Sequence, residues 1–389
     1  MKTIFLTGAT GFVGSNLTYE FLKQGYALKL LIRDKKINAE ERVEKSLRYL
    51  FDNPDEYKSI KSKIEIIHGD ITGDNLGIKP TILKRLQSEI DLVFHNAALT
   101  GFEESKREEL EKINVEGTKN VLDFTLKLAQ PEFHYMSTAY VCGLNNGIFT
   151  EDDLDIGQKF NNPYEESKFK AEKLINEYRK KFPIKTTIYR SSIIVGDSKT
   201  GKTSNFLGVY SFIKAIYFLV ETFTKDLKKE GRRALTAGVS YKDNKLYIPL
   251  RVPAVASKTL NIVPIDYVVK VVKRVLKEQN DSGKIYHIIN PTPPTIGEIH
   301  KLVDSIFNIS GIRLVNPDEF RTKPMTEWEN FFIDSIKDLT SYLQKKEPIF
   351  SDVNTQKISR GTKIKCPQIT KVLVAKLISY YINNPRFKK

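Results

Sequence analysis

The chain has 389 residues of ordinary globular composition, enough to bury a large core in two lobes. Its 62 lysines and arginines against 47 acidic residues give a net charge of +15. That charge reads first as a lysine-rich solvated surface and second as attraction for something acidic; no nucleic-acid module accompanies it. Two cysteines, Cys142 and Cys366, exclude a disulfide framework and a zinc cluster.

The apolar run Lys2–Leu6 reads as a core strand, so no signal peptide is expected and a cytoplasmic location is. Thr7-Gly8-Ala9-Thr10-Gly11-Phe12-Val13-Gly14 follows at once. A helix is then expected over Ser15–Gln24, with Leu17, Phe21 and Leu22 on one face. Strand, glycine-rich turn and helix in this order are what a dinucleotide pyrophosphate needs: glycines for the tight turn and close approach, and helix N–H groups aimed at phosphate. Thr7, Gly8, Thr10, Gly11, Phe12, Val13 and Gly14 are the candidate contacts of this turn.

Further strands are expected at Tyr26–Arg33, Ile64–His68, Asp91–His95, Phe133–Ser137 and Thr186–Val195. Helices are expected between them, notably Arg107–Leu128 and Glu165–Lys181. This alternation predicts an α/β fold, a Rossmann-type doubly wound parallel sheet with ligands at the carboxyl ends of its strands. From about Gly196 the pattern changes. Ser204–Phe223 reads as an apolar helix, followed by a basic loop and a turn-rich segment containing Pro249 and Pro253. Its most apolar part, Phe206–Val220, carries Lys214 and is too short for a membrane span. Leu260–Pro264 and Ile285–Ile289 read as strands, Thr295–Lys389 as mostly helical, and Asn383–Lys389 as disordered. The expected boundaries place 1–195 with about 260–290 in a dinucleotide-binding domain. They place about 196–259 with 291–389 in a smaller, mostly helical substrate-binding lobe.

Tyr164 and Lys168 lie four apart and share a helix face. A phenol of unperturbed pKa about 10 handles protons poorly at neutral pH, and a neighbouring ammonium lowers that pKa. The spacing alone is common here: Tyr19–Lys23, Tyr57–Lys61, Tyr210–Lys214, Tyr241–Lys245 and Tyr342–Lys346 share it. Context selects Tyr164, which follows the helix-start Pro163 and the strand-end Met136-Ser137-Thr138.

On these residues the chain resembles an extended short-chain dehydrogenase/reductase. The similar elements are TGATGFVG (Thr7–Gly14), GDI (Gly69–Ile71), HNAA (His95–Ala98), INVEGT (Ile113–Thr118), MSTAYVCG (Met136–Gly143) and YEESK (Tyr164–Lys168). LNIVPIDYV (Leu260–Val268) and YHIINP (Tyr286–Pro291) continue them. The resemblance implies that Tyr164 is the acid/base, that Lys168 tunes it and binds the nicotinamide ribose, and that Thr138 is the partner hydroxyl, with Ser137 as second choice. It implies a supporting role for Asn114, adenine contacts for Asp70 and Ile71, and cofactor contacts for Asn96, Ala97, Ala98, Ser191 and Ile194. Two departures stand out. Cys142 replaces a tyrosine frequent in sugar-modifying members, and Ser191-Ser192 after Arg190 replaces a common Pro-Gly.

Arg33 ends the second strand, where an acidic residue would bind the ribose diol of NAD; an arginine there suits the 2′-phosphate of NADP, and Arg42 is a second candidate. NADP is therefore expected over NAD, although Asp34 stands beside Arg33. Gly196-Asp197-Ser198-Lys199-Thr200-Gly201-Lys202-Thr203 matches the P-loop pattern letter for letter, which raises an NTPase as a rival. The same segment resembles the thioester-reductase branch of the family, which includes fatty acyl reductases. That resemblance implies NADPH-dependent reduction of an acyl thioester, carried by coenzyme A or an acidic carrier protein, to aldehyde or alcohol. Phe206, Val209, Phe212, Ile213, Ile216, Leu219 and Val220 would then line an acyl channel, or simply form a buried helix. A membrane surface is compatible with the charge but not required. The alternatives are an NAD-dependent nucleotide-sugar epimerase or dehydratase and a catalytically silent cofactor sensor. None of the five histidines (His68, His95, His134, His287 and His300) forms a spaced ligand pair, so no metal is expected.

Overall fold

The computed structural model describes residues 2–34, 37–51, 53–130, 132–278, 283–344 and 347–384. They form two compact units, one of Met1–Ile194, Val263–Pro291 and Pro348–Pro367, the other of Val195–Ile262, Thr292–Glu347 and Gln368–Lys389.

The first unit is built on seven strands: β1 (Thr3–Thr7), β2 (Ala27–Ile32), β3 (Ile64–His68), β4 (Leu92–His95), β5 (Glu132–Thr138), β6 (Lys185–Ser191) and β7 (Ile285–Ile288). All pairings are parallel, in the order β7-β6-β5-β4-β1-β2-β3. The strands are short apolar runs because both faces are covered. Ile4, Leu6, Leu28, Leu30 and Phe94 face one core with Leu17 and Phe21 of the helix Phe12–Lys23. Phe5, Leu31 and Val93 face the other with Val121 and Leu122 of Gly117–Thr125 and Ala171 and Ile175 of Pro163–Lys181. Strand order reverses between β1 and β4, so the loops after them diverge there and leave a crevice at their carboxyl ends.

Three expectations shift. The strand read over Thr186–Val195 breaks after Ser191 and resumes as Ile193–Val195. The helix read over Arg107–Leu128 is interrupted by a π-helical segment, Glu111–Glu116, before Gly117–Thr125. Residues 348–367, read with the second lobe, fold in the first unit. Ile349–Phe350 pairs with Ile148–Phe149, and the Thr355 hydroxyl donates to the His287 carbonyl of β7.

The second unit contains a three-stranded sheet absent from the sequence reading, with Lys245–Pro253 parallel to Ile309–Val315 and antiparallel to Ser240–Lys242. Pro249 and Pro253 argued against a strand. Pro249 falls where the register shifts between Tyr247 and Leu250, a place where proline's missing N–H does no harm, and Pro253 ends the strand. Ile309–Val315 likewise corrects the mostly helical reading of Thr295–Lys389; Gly311, at φ +93°, interrupts its apolar alternation. The apolar helix begins at Val209 rather than Ser204, after Gly208 at φ +63°. Asn383, read as disordered, ends the helix Lys371–Asn383, whereas residues 385–389 of that tail, and Lys346, lie outside the described residues.

Candidate active site

The glycine turn closes on contacts that only glycine allows. Gly8 has φ +71°, and a Cβ there would stand 2.6 Å from the Ala97 nitrogen. A Cβ at Gly14 would stand 2.0 Å from the Gly8 carbonyl oxygen. Gly11 caps the helix Phe12–Lys23 with no side chain on its first-turn N–H groups, which leaves them and the positive dipole end for an anion. Phe12 and Val13 lay their side chains on the first core, and Thr10 sits in the turn itself. Asn96 Nδ2 donates to the Gly8 carbonyl at 3.2 Å, and the Ala97 N–H donates to Thr7 Oγ1 at 3.1 Å. These two residues brace the turn from behind, and Ala98 is exposed beyond them.

At the end of β2, Arg42 Nη1 donates to the Arg33 carbonyl at 2.6 Å, and the half-exposed Arg33 guanidinium stands 3.9 Å from the Asp70 carboxylate. Asp34, which would oppose a phosphate here, is engaged by His68 Nδ1 at 2.7 Å. Asp70 also accepts from the Thr72 N–H and hydroxyl. Ile71, expected against an adenine, turns into the second core beside Gly117; its carbonyl accepts from Asn120 Nδ2 at 2.8 Å.

Asn162 caps the helix Pro163–Lys181 at the Glu165 N–H, Pro163 opens it, and Tyr164 and Lys168 follow one turn apart. The helix lies against β5. Lys168 Nζ donates to the Met136 carbonyl at 2.7 Å and sits 4.0 Å from the Tyr135 ring centroid. Successive side chains of β5 point to opposite faces. Ser137 Oγ donates to Glu172 at 2.5 Å, whereas Thr138 Oγ1 accepts from the Tyr140 N–H and makes a 3.3 Å bond to the Ser191 carbonyl. Of the two hydroxyls, Thr138 donates the longer bond, 3.3 Å to the Ser191 carbonyl against 2.5 Å from Ser137 to Glu172. Ile194 packs on the first core, and Cys142 is core packing beside Phe149.

Spacing predicts that Lys168 lowers the Tyr164 pKa; here it does not. Lys168 is turned to Met136, and the Tyr164 phenol, edge-on to Phe102, is pushed up to about 12 by burial and then by Glu165. Burial pushes Lys168 down to about 7, with Glu172 opposing. At the same spacing Lys23 does donate to Tyr19, at 3.0 Å on the exposed end of the first helix.

Asn114 lies in the π-helical segment, a local widening that recurs at functional sites. Its Oδ1 accepts from the Leu99 N–H; its Nδ2 donates to the Leu99 carbonyl and to Ser167 Oγ, which donates to the Tyr164 carbonyl. Asn114 thus ties the loop after β4 to the helix of Tyr164.

Sequence reasoning missed a buried ion pair beneath this site. Arg190 and Glu172 are both fully buried, with Arg190 Nη2 2.8 Å from Glu172 Oε2 and Nε 3.0 Å from the same oxygen. Arg190 Nη1 also donates to His287 Nε2 at 3.2 Å, while His287 Nδ1 donates to the Ser351 carbonyl. Burial, then Arg190, holds His287 neutral, its pKa pushed down to about 3. The available signal was Glu172 four residues after Lys168, the same helix face again.

The second glycine-rich turn, in the other unit, is not a phosphate cradle. Asp197 Oδ1 takes the N–H groups of Lys199 and Thr200 and the Thr200 hydroxyl, and the Lys202 N–H goes to Thr200 Oγ1. A Cβ at Gly201 would stand 2.4 Å from the Lys376 carbonyl oxygen, and no helix starts until Val209. The N–H groups a P-loop needs are therefore used internally, which removes the NTPase alternative. Along the apolar helix, Ile213 packs with Val374 and Ile378, Phe206 with Tyr210 and Tyr381, and Phe212 with Phe332. Ile216 and Leu219 are buried and Val209 and Val220 partly so. This is the packing of an ordinary core helix.

The glycine cradle, the uncapped helix and a buried Ser192 hydroxyl with no partner among the described residues fit a dinucleotide. Among those residues no helix is long and apolar enough to cross a membrane.

A family model described as male sterility protein matches residues 6–272. One polypeptide of the linear gramicidin synthase of Brevibacillus parabrevis is 24% identical over 405 residues, which take in 98% of this chain and 7% of that polypeptide. Fatty acyl-CoA reductase 8 of Arabidopsis thaliana is 34% identical over 165 residues, 39% of this chain and 33% of the reductase. The chain thus matches a third or less of the length of these relatives. The solved terminal R domain of the myxalamid PKS-NRPS biosynthetic pathway shares the fold, with a TM-score of 0.78 at 24% identity over 98% of this chain and 90% of that one.

Proposed function

Because the chain belongs to the male sterility protein family, an NAD(P)-dependent branch of the extended short-chain dehydrogenase/reductases, we propose that it reduces an acyl thioester with NADPH, to an aldehyde or alcohol. The observation that carries the reading is that the family match spans the glycine turn, β5 and the Tyr164–Lys168 helix together.

The first-turn N–H groups of the helix Phe12–Lys23 would hold the pyrophosphate, and Arg33 with Arg42 the 2′-phosphate of NADP. The bound dinucleotide supplies a hydride to the thioester carbonyl. Thr138 and Tyr164 would donate hydrogen bonds to the oxygen as negative charge grows on it. A phenol held near pKa 12 by burial is protonated at neutral pH, the form a reduction consumes. Cys142, where sugar-modifying members often carry tyrosine, and Arg33 at the end of β2 disfavour an NAD-holding epimerase or dehydratase. Lys168, one turn along the same helix and held by the Met136 carbonyl, would bind the nicotinamide ribose. A net charge of +15 suits coenzyme A or an acidic carrier protein as the acyl donor. A cytoplasmic location fits this reading.

The test is a spectrophotometric panel of NADPH and NADH against acyl-CoA, acyl-carrier and nucleotide-sugar substrates. NADPH should be consumed with thioesters and spared with nucleotide sugars. NADPH left unoxidised across all thioesters overturns the proposal, and nucleotide-sugar turnover on tightly held NAD would put the epimerase reading in its place.

A further inference from the structure

We propose that His95, fixed as the neutral tautomer with its proton on Nε2, is a positioning residue that joins the glycine turn at Gly8 to the helix carrying Tyr164. The inference rests on the dinucleotide reading of that turn. The bonding leaves the ring no other choice. Thr7 Oγ1 accepts from the N–H groups of Asn96 at 3.2 Å and Ala97 at 3.1 Å. Its single hydrogen is then free for the remaining contact, His95 Nδ1 at 2.7 Å, so Nδ1 is a bare acceptor. On the other side Thr118 Oγ1 lies 2.6 Å from the Asn114 carbonyl, which can only accept. The Thr118 hydrogen is spent there, so the 3.1 Å contact between His95 Nε2 and Thr118 Oγ1 runs from the ring to the hydroxyl.

The chain of donors is continuous: backbone N–H of Asn96 and Ala97, Thr7, His95, Thr118, the Asn114 carbonyl. The Asn114 side chain then carries it to Ser167 and the Tyr164 carbonyl. Thr7, His95, Thr118, Asn114 and Ser167 are all buried, so no solvent competes for these bonds. At one end Ala97 stands where a Gly8 Cβ would have to go. At the other, Ser167 lies one turn into the helix that holds Tyr164 and Lys168. A shift of the ring therefore moves the phosphate turn and the acid/base helix together. Burial, with the Lys168 charge as the smaller cause, keeps the imidazole uncharged, its pKa pushed down to about 3.

Two measurements decide it. Long-range 1H–15N spectra of histidine-labelled protein should show His95 with a bare Nδ1 and a protonated Nε2, unchanged from pH 8 to 5. The Nδ1–H tautomer, or a ring that titrates in that range, overturns the proposal. The second measurement compares variants by dinucleotide Kd and by kcat. His95→Leu leaves the Thr7 hydrogen without an acceptor and takes a donor from Thr118, and should weaken NADPH binding and lower kcat by about tenfold each, whereas His95→Gln, whose amide can accept from Thr7 and donate to Thr118, should recover most of both. His134→Leu is the control, since His134 is equally buried but bonded to Tyr189 and Glu132 near the amino end of β5. It should cost stability without moving the NADPH Kd. Equal effects of His95→Leu and His134→Leu on Kd overturn the proposal. Native protein that binds no dinucleotide overturns the functional reading instead, and the nitrogen spectrum still decides the tautomer.

Discussion

The two glycine-rich turns, Thr7–Gly14 and Gly196–Thr203, each follow a strand and each contain glycines that only glycine can supply, yet they use their backbone differently. In the first, helix follows turn directly and the first-turn N–H groups carry no side-chain cap. In the second, a carboxylate inside the turn, Asp197, gathers the N–H groups itself, and five further residues pass before a helix begins. A phosphate site depends on N–H groups left unspent, not on the number of glycines. What braces each turn differs as well: neutral His95, through Thr7, behind the first, and an aspartate within the second.

Acid should affect the two sides unequally, and this is the largest effect expected. His95 and His287, both in the first unit, have folded pKa values near 3 against 6.5 unfolded. Between those values the unfolded chain binds more protons, so stability rises with pH and is lost as pH falls from 6.5 toward 3. Averaged from pH 7 to 5 the slope should be roughly 2 kcal/mol per pH unit for the pair, approaching about 2.7 only well below pH 6.5. Denaturant titrations from pH 7 to 5, on native protein and on His287→Gln, should show about half that slope in the variant. No change in slope would mean His287 is not held neutral.

Next comes Gly14→Ala, whose methyl would press on the Gly8 carbonyl oxygen. Calorimetric NADPH binding should weaken by at least about a hundredfold. Binding within a few-fold of native would break the contrast between the turns. The double variant Arg33→Ala/Arg42→Ala should raise KM for NADPH about tenfold and leave KM for NADH unchanged, the loss of one charge-assisted contact with the 2′-phosphate. Equal loss with both cofactors would remove these arginines from that role. Smallest is Lys202→Ala: its ammonium has no phosphate to meet, so cofactor binding and turnover should change less than about twofold. Detectable ATP turnover that this variant abolishes would restore the P-loop reading.

The sheet was legible because strands buried on both faces are short apolar runs bounded by polar residues, as at Ile4–Leu6 between Thr3 and Thr7 and Leu92–Phe94 between Asp91 and His95. Lys245–Pro253 was hidden by Pro249, whose place at a register shift is a property of its partner strand and not of local sequence. The P-loop resemblance at Gly196 failed for a similar reason: the letters matched, but Asp197 folds its side chain back onto the turn. Motif and spacing located Tyr164 and Lys168 on one helix, but their charge states depend on burial, which spacing does not contain. Glu172–Arg190 pairs residues 18 apart on different elements, so no local pattern announces it.

The central claim, that the first turn and the Tyr164 helix serve one reduction, is tested most directly by Tyr164→Phe. NADPH oxidation with the best acyl-CoA should fall about a thousandfold while NADPH Kd stays within about twofold, since the phenol acts on the proton and not on cofactor binding. Undiminished oxidation by Tyr164→Phe would contradict it.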